Sequence, residues 1–366
     1  MRIEGVLVVG GGYAGLHAAR AAADADVATT VVDPTGQHSH ITRLAAVAGG
    51  TTAVARASTP LADFGHDVLV GAVVAVGDGT VELVDGRTVE ADAVIVSAGA
   101  RPTRPPVDGI EHALTLRDAD DALLLRRRIE NGDRLLVVGG GATGVQLAGA
   151  AAAAHPDLSV TLVEAMDRLL TPMSTSTGRG AMRILRQRGV DIRLGTEIQE
   201  ITADGAVIDD ELVEATVVWA GGFEARADGL GLDVSGDGRI LVDDRLRVMG
   251  MERTFAAGDV AAHLGRDGEF LAMSAQIAVQ AGTAAGHNAV RTIRAEPLTA
   301  PHLVQRGWVL ELGGHRGLAE FGPLHLSGAF ADLIPPFLHD AIDVKTTVGE
   351  RGVSALPGAV IDVALS

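Results

Sequence analysis

The sequence predicts an α/β protein with two Rossmann-like domains, β-meanders within them and a small C-terminal cap. Two segments carry this prediction because they repeat one pattern: residues 5–23 read GVLVVGGGYAGLHAARAAA and residues 134–152 read RLLVVGGGATGVQLAGAAA. Each begins with an apolar run, typical of a parallel strand buried on both faces, and continues into an Ala-rich helix. A second β-rich run then ends in an acid, at Asp33 and at Glu164. We therefore expect two βαβ units.

Both units carry a G-x-G-x-x-G string where the first strand meets the helix. The positions are Gly10, Gly12 and Gly15 in the first unit and Gly139, Gly141 and Gly144 in the second. The first glycine permits a tight turn, the second lets the backbone approach a pyrophosphate, and the third lets helix and strand pack closely. The helix N-terminus offers N–H donors to the phosphates. One such string is weak evidence, but the strand, helix and acid around each one indicate two dinucleotide sites.

The acids at the strand ends predict which nucleotides bind. Asp33 and Glu164 can each accept hydrogen bonds from an adenosine ribose, and a carboxylate there repels a 2′-phosphate. Glu164 therefore favours NADH over NADPH, although Arg168 would weaken that preference if it reached the phosphate. The alternative for both acids is a solvated strand end.

Two further strand ends are expected to lie at the nucleotide site of the first βαβ unit and not at that of the second. Ala98 and Gly99 follow an apolar run and would let the backbone approach a cofactor closely. Gly258 and Asp259 end another strand before a predicted helix, which would bring a carboxylate and helix N-terminal amides to a ligand. Taken alone, a Gly-Asp pair indicates only a helix cap.

Charge and cysteine content exclude several classes of function. The chain of 366 residues has 30 Lys plus Arg against 47 Asp plus Glu, a formal net charge of −17, and Lys345 is its single lysine. This balance disfavours nucleic acid and an anionic membrane as partners. The chain has no cysteine, which excludes dithiol relays, thiolate nucleophiles and iron–sulfur ligands. Redox chemistry would therefore need a bound cofactor.

The pattern along the chain predicts a discontinuous first domain of residues 1–108 and 238–300, a second domain of residues 109–237 and a C-terminal cap of residues 301–366. Short β-rich runs at residues 68–76, 80–84, 206–208 and 215–218 predict meanders, and the proline-rich run at residues 101–106 predicts the crossover between domains.

Several motifs together resemble one superfamily. Residues 10–19 (GGGYAGLHAA), 93–102 (AVIVSAGARP), 135–149 (LLVVGGGATGVQLAG), 217–222 (VVWAGG) and 254–261 (TFAAGDVA) occur in the order seen in the FAD-dependent pyridine-nucleotide disulfide reductase superfamily. Within it the chain looks most like type II NADH dehydrogenases and the ferroptosis-suppressor proteins homologous to apoptosis-inducing factor. The looser strings QHSHITRLAAVAGG and AQIAVQAG narrow the resemblance to these NADH:quinone oxidoreductases.

The resemblance implies roles for individual residues. The first glycine turn and Asp33 correspond to the adenosine-diphosphate site of FAD, Asp259 to the Asp that binds its ribityl chain, and the second turn with Glu164 to the NADH site. Gln276 and Gln280 fall where these enzymes place glutamines near the flavin and quinone. They lie four apart on one predicted helix face and could orient a carbonyl acceptor without carrying charge. The alternative is an exposed helix with two ordinary glutamines.

The chain departs from the family pattern in three places. Gln146 stands where the family usually has a Glu near the nicotinamide. Arg306 stands near the family's usual Lys. Residues 326–344 begin like the family's membrane-binding tail but are acidic and interrupted by two prolines, which disfavours membrane attachment.

The expected function is FAD-dependent transfer of a hydride from NADH, with electrons passed to a quinone-like acceptor. Two alternatives stay open: a ferredoxin- or rubredoxin-type reductase with a basic patch at Arg126, Arg127 and Arg128, and an NADH-sensing flavoprotein with incidental turnover. No metal site is expected at His17, His38 or His40, because no set of acidic or thiol ligands accompanies them. The lack of a signal peptide or apolar span favours a cytoplasmic location, with a peripheral position at the inner face of the membrane as the alternative, and a homodimer is left open.

Overall fold

The structure is a computed structural model that describes residues 1–266 and 268–328. Within these residues, no helix combines the length and the apolar character that crossing a membrane would require. The remaining residues, 267 and 329–366, include most of the expected C-terminal cap. The acidic, proline-containing stretch at 329–344 therefore lies outside the described residues.

The strands and helices follow one another along the chain in two α/β units. The strands are β1 (Arg2–Val9), β2 (Thr29–Asp33), β3 (Gln37–Ser39), β4 (Ser58–Pro60), β5 (Asp67–Val70), β6 (Val73–Gly77), β7 (Thr80–Leu83), β8 (Thr88–Val96), β9 (Ala100–Pro102), β10 (Arg134–Val138), β11 (Ser159–Glu164), β12 (Asp191–Leu194), β13 (Glu200–Ile201), β14 (Gly205–Ile208), β15 (Glu211–Glu214), β16 (Thr216–Trp219), β17 (Phe223–Ala225), β18 (Thr254–Ala256), β19 (Trp308–Glu311), β20 (Gly317–Phe321) and β21 (Leu324–Gly328). The α-helices are α1 (Tyr13–Ala23), α2 (Leu44–Ala48), α3 (Ala119–Asn131), α4 (Ala142–Ala154), α5 (Thr175–Gln187) and α6 (Ala275–Ile293).

The first unit is built on a sheet of order β5-β2-β1-β8-β7-β6, with β18 also pairing with β8. β1 runs parallel to β2 and β8, and β18 runs parallel to β8, so the carboxyl ends of these strands share one edge. Helices α1 and α6 pack together on this sheet, and a side chain at Gly282 of α6 would collide with the backbone of Ala14 in α1. One expectation is corrected: residues 68–70 belong to β5, which extends the parallel sheet beside β2, so the meander comprises only β6, β7 and β8.

The second unit has a parallel sheet of order β12-β11-β10-β16 and a separate antiparallel sheet β13-β14-β15. Residues 215–218 were expected in a meander, but β16 instead runs parallel to β10, with Val138 opposite Trp219. The apolar run of β16 explains this difference, because Val217 and Val218 are buried in the second unit, as parallel strands usually are.

Two short strands join the units. The chain leaves the first unit through β9 and returns through β17, and the two strands pair antiparallel, with Ala100 opposite Ala225. Arg101 of β9 forms ion pairs with Glu224 and Asp228 on the returning segment. The proline-rich crossover is thus one half of a two-stranded connection.

The residues after α6 contact both units. Residues 303–306 lie along α6, where Val304 pairs with Gln280. Strands β19, β20 and β21, here called the C-terminal sheet, pack on the second unit, and Leu310, Leu312 and Leu318 join its buried core. The described part of the expected cap therefore spans from one unit to the other.

Candidate functional site

The two glycine turns have the same backbone geometry. Gly10 and Gly139 adopt φ values of +99° and +114°, which disfavour any residue with a Cβ. Gly12 and Gly141 are the N-caps of α1 and α4, and neither has a side-chain cap. A Cβ placed on either residue would meet no atom within 4 Å. Both helix N-termini thus present uncovered backbone to an open space, as pyrophosphate binding requires.

Each strand-end acid is held by the glycine turn beside it. The Gly11 N–H donates to Asp33 Oδ2 at 2.9 Å, and the Gly140 N–H donates to Glu164 Oε2 at 2.5 Å. The second oxygen of Glu164 accepts from the Met166 N–H at 2.8 Å. These contacts orient both carboxylates beside their turns, where an adenosine ribose would need them.

Arg168 is committed to backbone carbonyls. Its Nη1 donates to the carbonyls of Met173 at 3.0 Å and Leu170 at 3.4 Å, and its Nη2 donates to that of Thr171. Leu170 adopts a positive φ of 54°, and its N–H donates to the Gly140 carbonyl at 2.9 Å. The guanidinium therefore stabilises the loop after β11 rather than being free for a 2′-phosphate.

Asp259 pairs with an arginine that sequence reasoning missed. Arg117 Nη2 donates to Asp259 Oδ2 at 3.1 Å, and the two side chains are only 13% and 15% exposed. The Arg117 guanidinium also lies 5.1 Å from the ring centroid of Phe223. Within the described chain, only Oδ2 of Asp259 accepts a hydrogen bond, so Oδ1 is available to a ligand. No local motif distinguishes Arg117, because it lies 142 residues before its partner.

A buried histidine fixes the turn that presents Asp259. The Gly258 N–H donates to His263 Nε2 at 3.1 Å, and Gly258 adopts a φ of +80°. Burial, reinforced by the nearby charge of Arg239, lowers the pKa of His263 to about 4. The imidazole is therefore neutral near pH 7 and can accept the hydrogen bond from Gly258. Its Nδ1 has no hydrogen-bond partner among the described residues.

One cavity of about 850 Å³ connects the two glycine turns. Eight of the residues singled out in the sequence line it: Gly12, Gly99, Gly139, Gly141, Gln146, Glu164, Asp259 and Gln276. The other singled-out residues lie outside the lining: Gly10, Gly15, Asp33, Ala98, Gly144, Gly258 and Gln280. Near the N-terminus of α6, the lining includes Met273, Trp308 and Phe321. The cavity thus connects both glycine turns to a part of its lining that includes large apolar side chains.

The two glutamines of α6 differ in what their amides contact. Gln280 Nε2 donates to the carbonyls of Gln276 and Val304, both at 3.0 Å, and its Oε1 accepts from the Val304 N–H at 3.0 Å. Gln276 Oε1 accepts from the Arg306 N–H at 2.5 Å, and its Nε2 donates to none of the described residues. Of these two glutamines, Gln276 is therefore the one with a donor available at the cavity.

Gln146 and Arg306, two of the departures from the family pattern, also lie at this site. Gln146 lines the cavity on α4, and its side-chain amide hydrogen-bonds to no described residue. The backbone N–H of Arg306 donates a hydrogen bond to Gln276 Oε1.

His38 and His40 lie within hydrogen-bonding distance of protein oxygen atoms. His38 is fully buried, and its Nδ1 lies 2.8 Å from the Gly11 carbonyl oxygen, while His40 Nε2 lies 2.9 Å from Thr59 Oγ1. Across residues 1–266 and 268–328, no group of three or more His, Cys, Asp or Glu side chains has the arrangement needed to hold a metal ion.

Comparison with known proteins adds four findings. A model of the family described as pyridine nucleotide-disulphide oxidoreductase matches residues 4–282. The chain is 29% identical over 404 residues to the type II NADH:quinone oxidoreductase Ndh of Mycobacterium tuberculosis, which covers 94% of this chain and 85% of that protein. It is 33% identical over 189 residues to the ferredoxin–NAD(+) reductase component of the p-cumate 2,3-dioxygenase system of Pseudomonas putida, which covers 50% of this chain and 46% of that protein. The structure of NDH2 from Plasmodium falciparum in complex with NADH superposes with a TM-score of 0.80 and 15% identity, covering 94% of this chain and 96% of that one, which shows a shared fold.

Proposed function

The chain belongs to the pyridine nucleotide-disulphide oxidoreductase family, and on that premise we propose that it is a FAD-dependent NADH:quinone oxidoreductase. Bound FAD would supply the two-electron chemistry that a chain without cysteine cannot supply from its own side chains. The protein would hold both nucleotides, exclude water from the space between them and admit a quinone as the second substrate.

The observation that carries this proposal is the continuous cavity between the two glycine turns. Family members that relay electrons through a dithiol need cysteines, and this chain has none. Electrons from NADH must therefore leave to an acceptor that enters from outside. The compartment lined by Met273, Trp308 and Phe321 is apolar enough for a quinone ring.

We assign FAD to the first unit and NADH to the second. Gly12, Asp259 and Arg117 would hold the FAD, and the cation of Arg117 suits a ligand that carries a pyrophosphate. Gly141 and Glu164 would hold the NADH, with Glu164 accepting from the ribose hydroxyls. NADPH is disfavoured because Glu164 would repel a 2′-phosphate and Arg168 is bound to three carbonyls.

At the acceptor end, Gln276 is the residue that we expect to contact the quinone. Its Nε2 can donate to a quinone carbonyl while remaining neutral, which suits an apolar compartment better than a charge would. The sequence favoured Gln276 and Gln280 equally. The contacts of Gln280 support a different role, in which its amide holds Val304 and thereby the segment that carries Arg306.

The ferredoxin-reductase alternative has less support. The ferredoxin–NAD(+) reductase component of Pseudomonas putida matches half of the chain, whereas the type II NADH:quinone oxidoreductase of Mycobacterium tuberculosis matches nearly all of it. Arg126 belongs to the basic patch that would have to bind a ferredoxin. It pairs with Glu130 and donates to the carbonyls of Val47 and Thr52. An NADH sensor remains the other alternative, because Gln146 replaces the usual Glu.

Anaerobic reduction and reoxidation of the FAD-loaded protein test these assignments. NADH should bleach the flavin absorbance, and a short-chain ubiquinone should restore it faster than an oxidised ferredoxin does. Gln276→Ala should slow reoxidation by quinone and leave reduction by NADH unchanged. Reoxidation by ferredoxin alone would favour the reductase alternative, and tight NADH binding with slow reoxidation by every acceptor would favour the sensor.

We place the enzyme in the cytoplasm as a prediction from its sequence, with a peripheral position at the membrane and a homodimer as open alternatives. A quinone substrate makes the membrane surface a relevant location. Sedimentation of the full chain with and without vesicles of bacterial lipids would measure its membrane binding and its oligomeric state.

A further inference from the structure

The C-terminal segment spans the cavity between the two units. At the first end, Oγ of Ser274, the N-cap of α6, donates to Gln305 Oε1 at 2.8 Å, and Gln280 of α6 binds the backbone of Val304. On the second unit, Leu310 and Leu318 of the C-terminal sheet are buried in the core. The cavity lining supplied by Trp308 and Phe321 thus depends on how this segment is held at both ends.

Glu320 of β20 makes the polar contact at the second end, directly beside Phe321. Its two oxygens accept from the Ser174 N–H at 3.1 and 3.2 Å, from Ser174 Oγ at 2.8 Å and from Thr177 Oγ1. His325 Nδ1 lies 3.4 Å from Oε2. Ser174 is the N-cap of α5, so the carboxylate lies at the positive end of that helix.

This contact holds a charged group away from water. The Glu320 side chain is 15% exposed. Burial acts to raise the pKa of Glu320, but the hydrogen bonds from Thr177 and Ser174 outweigh burial and hold the pKa below its ordinary value. An ionised carboxylate with four donor contacts fixes β20 more firmly than apolar packing alone, because charge-assisted hydrogen bonds are short and directional.

We propose that Glu320 is a positioning residue for the acceptor side of the cavity: by binding the N-terminus of α5, it holds the apolar lining that Trp308 and Phe321 contribute. The inference rests on the proposed quinone reduction, which it deepens. Other contacts hold the part of the cavity where we propose that NADH binds. Arg168 donates to carbonyls of the loop after β11, and the Leu170 N–H donates to the Gly140 carbonyl. Loss of the Glu320 carboxylate should therefore affect the acceptor more than NADH.

The kinetic test uses Glu320→Gln in the FAD-loaded full chain. The amide keeps the shape of the side chain but turns an NH₂ group toward donors. We expect the KM for a short-chain ubiquinone to rise about tenfold, as the loss of charge-assisted hydrogen bonds allows, while the KM for NADH changes by less than about twofold. Glu211→Gln, at an exposed acid on β15, is the matched control and should change neither. An equal rise in both KM values, or no rise in either, would overturn the proposal.

A fluorescence test does not depend on turnover. The chain has two tryptophans, so Trp219→Phe leaves Trp308 as the single tryptophan. In that background, Glu320→Gln should move the emission to longer wavelength as Trp308 becomes more hydrated, with and without FAD. Unchanged emission would contradict the proposal even if the protein reduces no quinone, and a shift without any quinone reduction in the parent protein would count only against the proposed function. If Glu320→Gln does not fold, Thr177→Val removes one donor and should give the same changes in smaller measure.

Discussion

The buried His263 predicts a specific loss of stability on acidification. In the folded protein its pKa is lowered from 6.5 to about 4, first by burial and then by Arg239, whereas in the unfolded chain it titrates near its ordinary value. Between these values the unfolded state binds a proton that the folded state does not, so the free energy of unfolding falls as the pH falls from about 6.5 toward 4. One pKa unit corresponds to about 1.4 kcal/mol, so this histidine accounts for about 3 kcal/mol over the full window and about 2 kcal/mol by pH 5.

His263→Gln isolates this contribution. The amide oxygen of glutamine can accept the hydrogen bond from the Gly258 N–H, but the side chain does not titrate. Urea unfolding monitored by circular dichroism at pH 7.5 and pH 5 should show that wild type loses about 2 kcal/mol more than the variant. His112→Gln, at an exposed histidine, should behave as wild type does. Equal losses in wild type and His263→Gln would refute the assignment of a neutral, hydrogen-bonded His263.

Three further outcomes are expected. NADH should reduce the flavin about tenfold to a hundredfold better than NADPH at subsaturating concentrations, and Glu164→Ala should narrow that ratio in stopped-flow measurements; equal rates in the parent protein would contradict the role of Glu164. Arg117→Met should lower the FAD content of the purified protein, because it removes the cation that we assign to the FAD pyrophosphate; chromatography should identify the released flavin as FAD, and FMN or an unchanged content would count against the assignment. Gln146→Glu should raise NADH-dependent turnover. A lower or equal kcat would show that the carboxylate usual in the family does not speed turnover in this protein.

Much of the fold could be predicted because its signals are local. In each unit the strand, the glycine turn, the helix and the acid lie within one short stretch, and the structure joins them by the same contacts, Gly11 to Asp33 and Gly140 to Glu164. The meanders were harder to assign. A short β-rich run does not reveal whether its partner is adjacent in sequence, so β16, whose parallel partner β10 lies about 80 residues earlier, was expected in a meander.

The contacts that complete the site join distant parts of the chain. Arg117 and Asp259 are 142 residues apart, and Ser174 and Glu320 are 146 apart. Neither member of these pairs lies in a motif that predicts its partner. The helical spacing of Gln276 and Gln280 predicted that they share one face. It could not show that the backbone of Val304 would hydrogen-bond to the Gln280 amide.

The two nucleotide units show how equal motifs acquire different surroundings. Asp33 accepts, besides the Gly11 bond, hydrogen bonds from the Thr35 N–H at 2.9 Å, the Thr35 hydroxyl at 2.8 Å and the Gly36 N–H at 3.1 Å, and it lies outside the cavity lining. Among residues 1–266 and 268–328, two backbone N–H groups donate to Glu164, which lines the cavity. Because Glu164 accepts fewer hydrogen bonds from the described chain and lines the cavity, its carboxylate has more capacity to accept from the ribose of the NADH that we propose for this unit. The difference arises from the loop after each acid, which the shared glycine pattern does not specify.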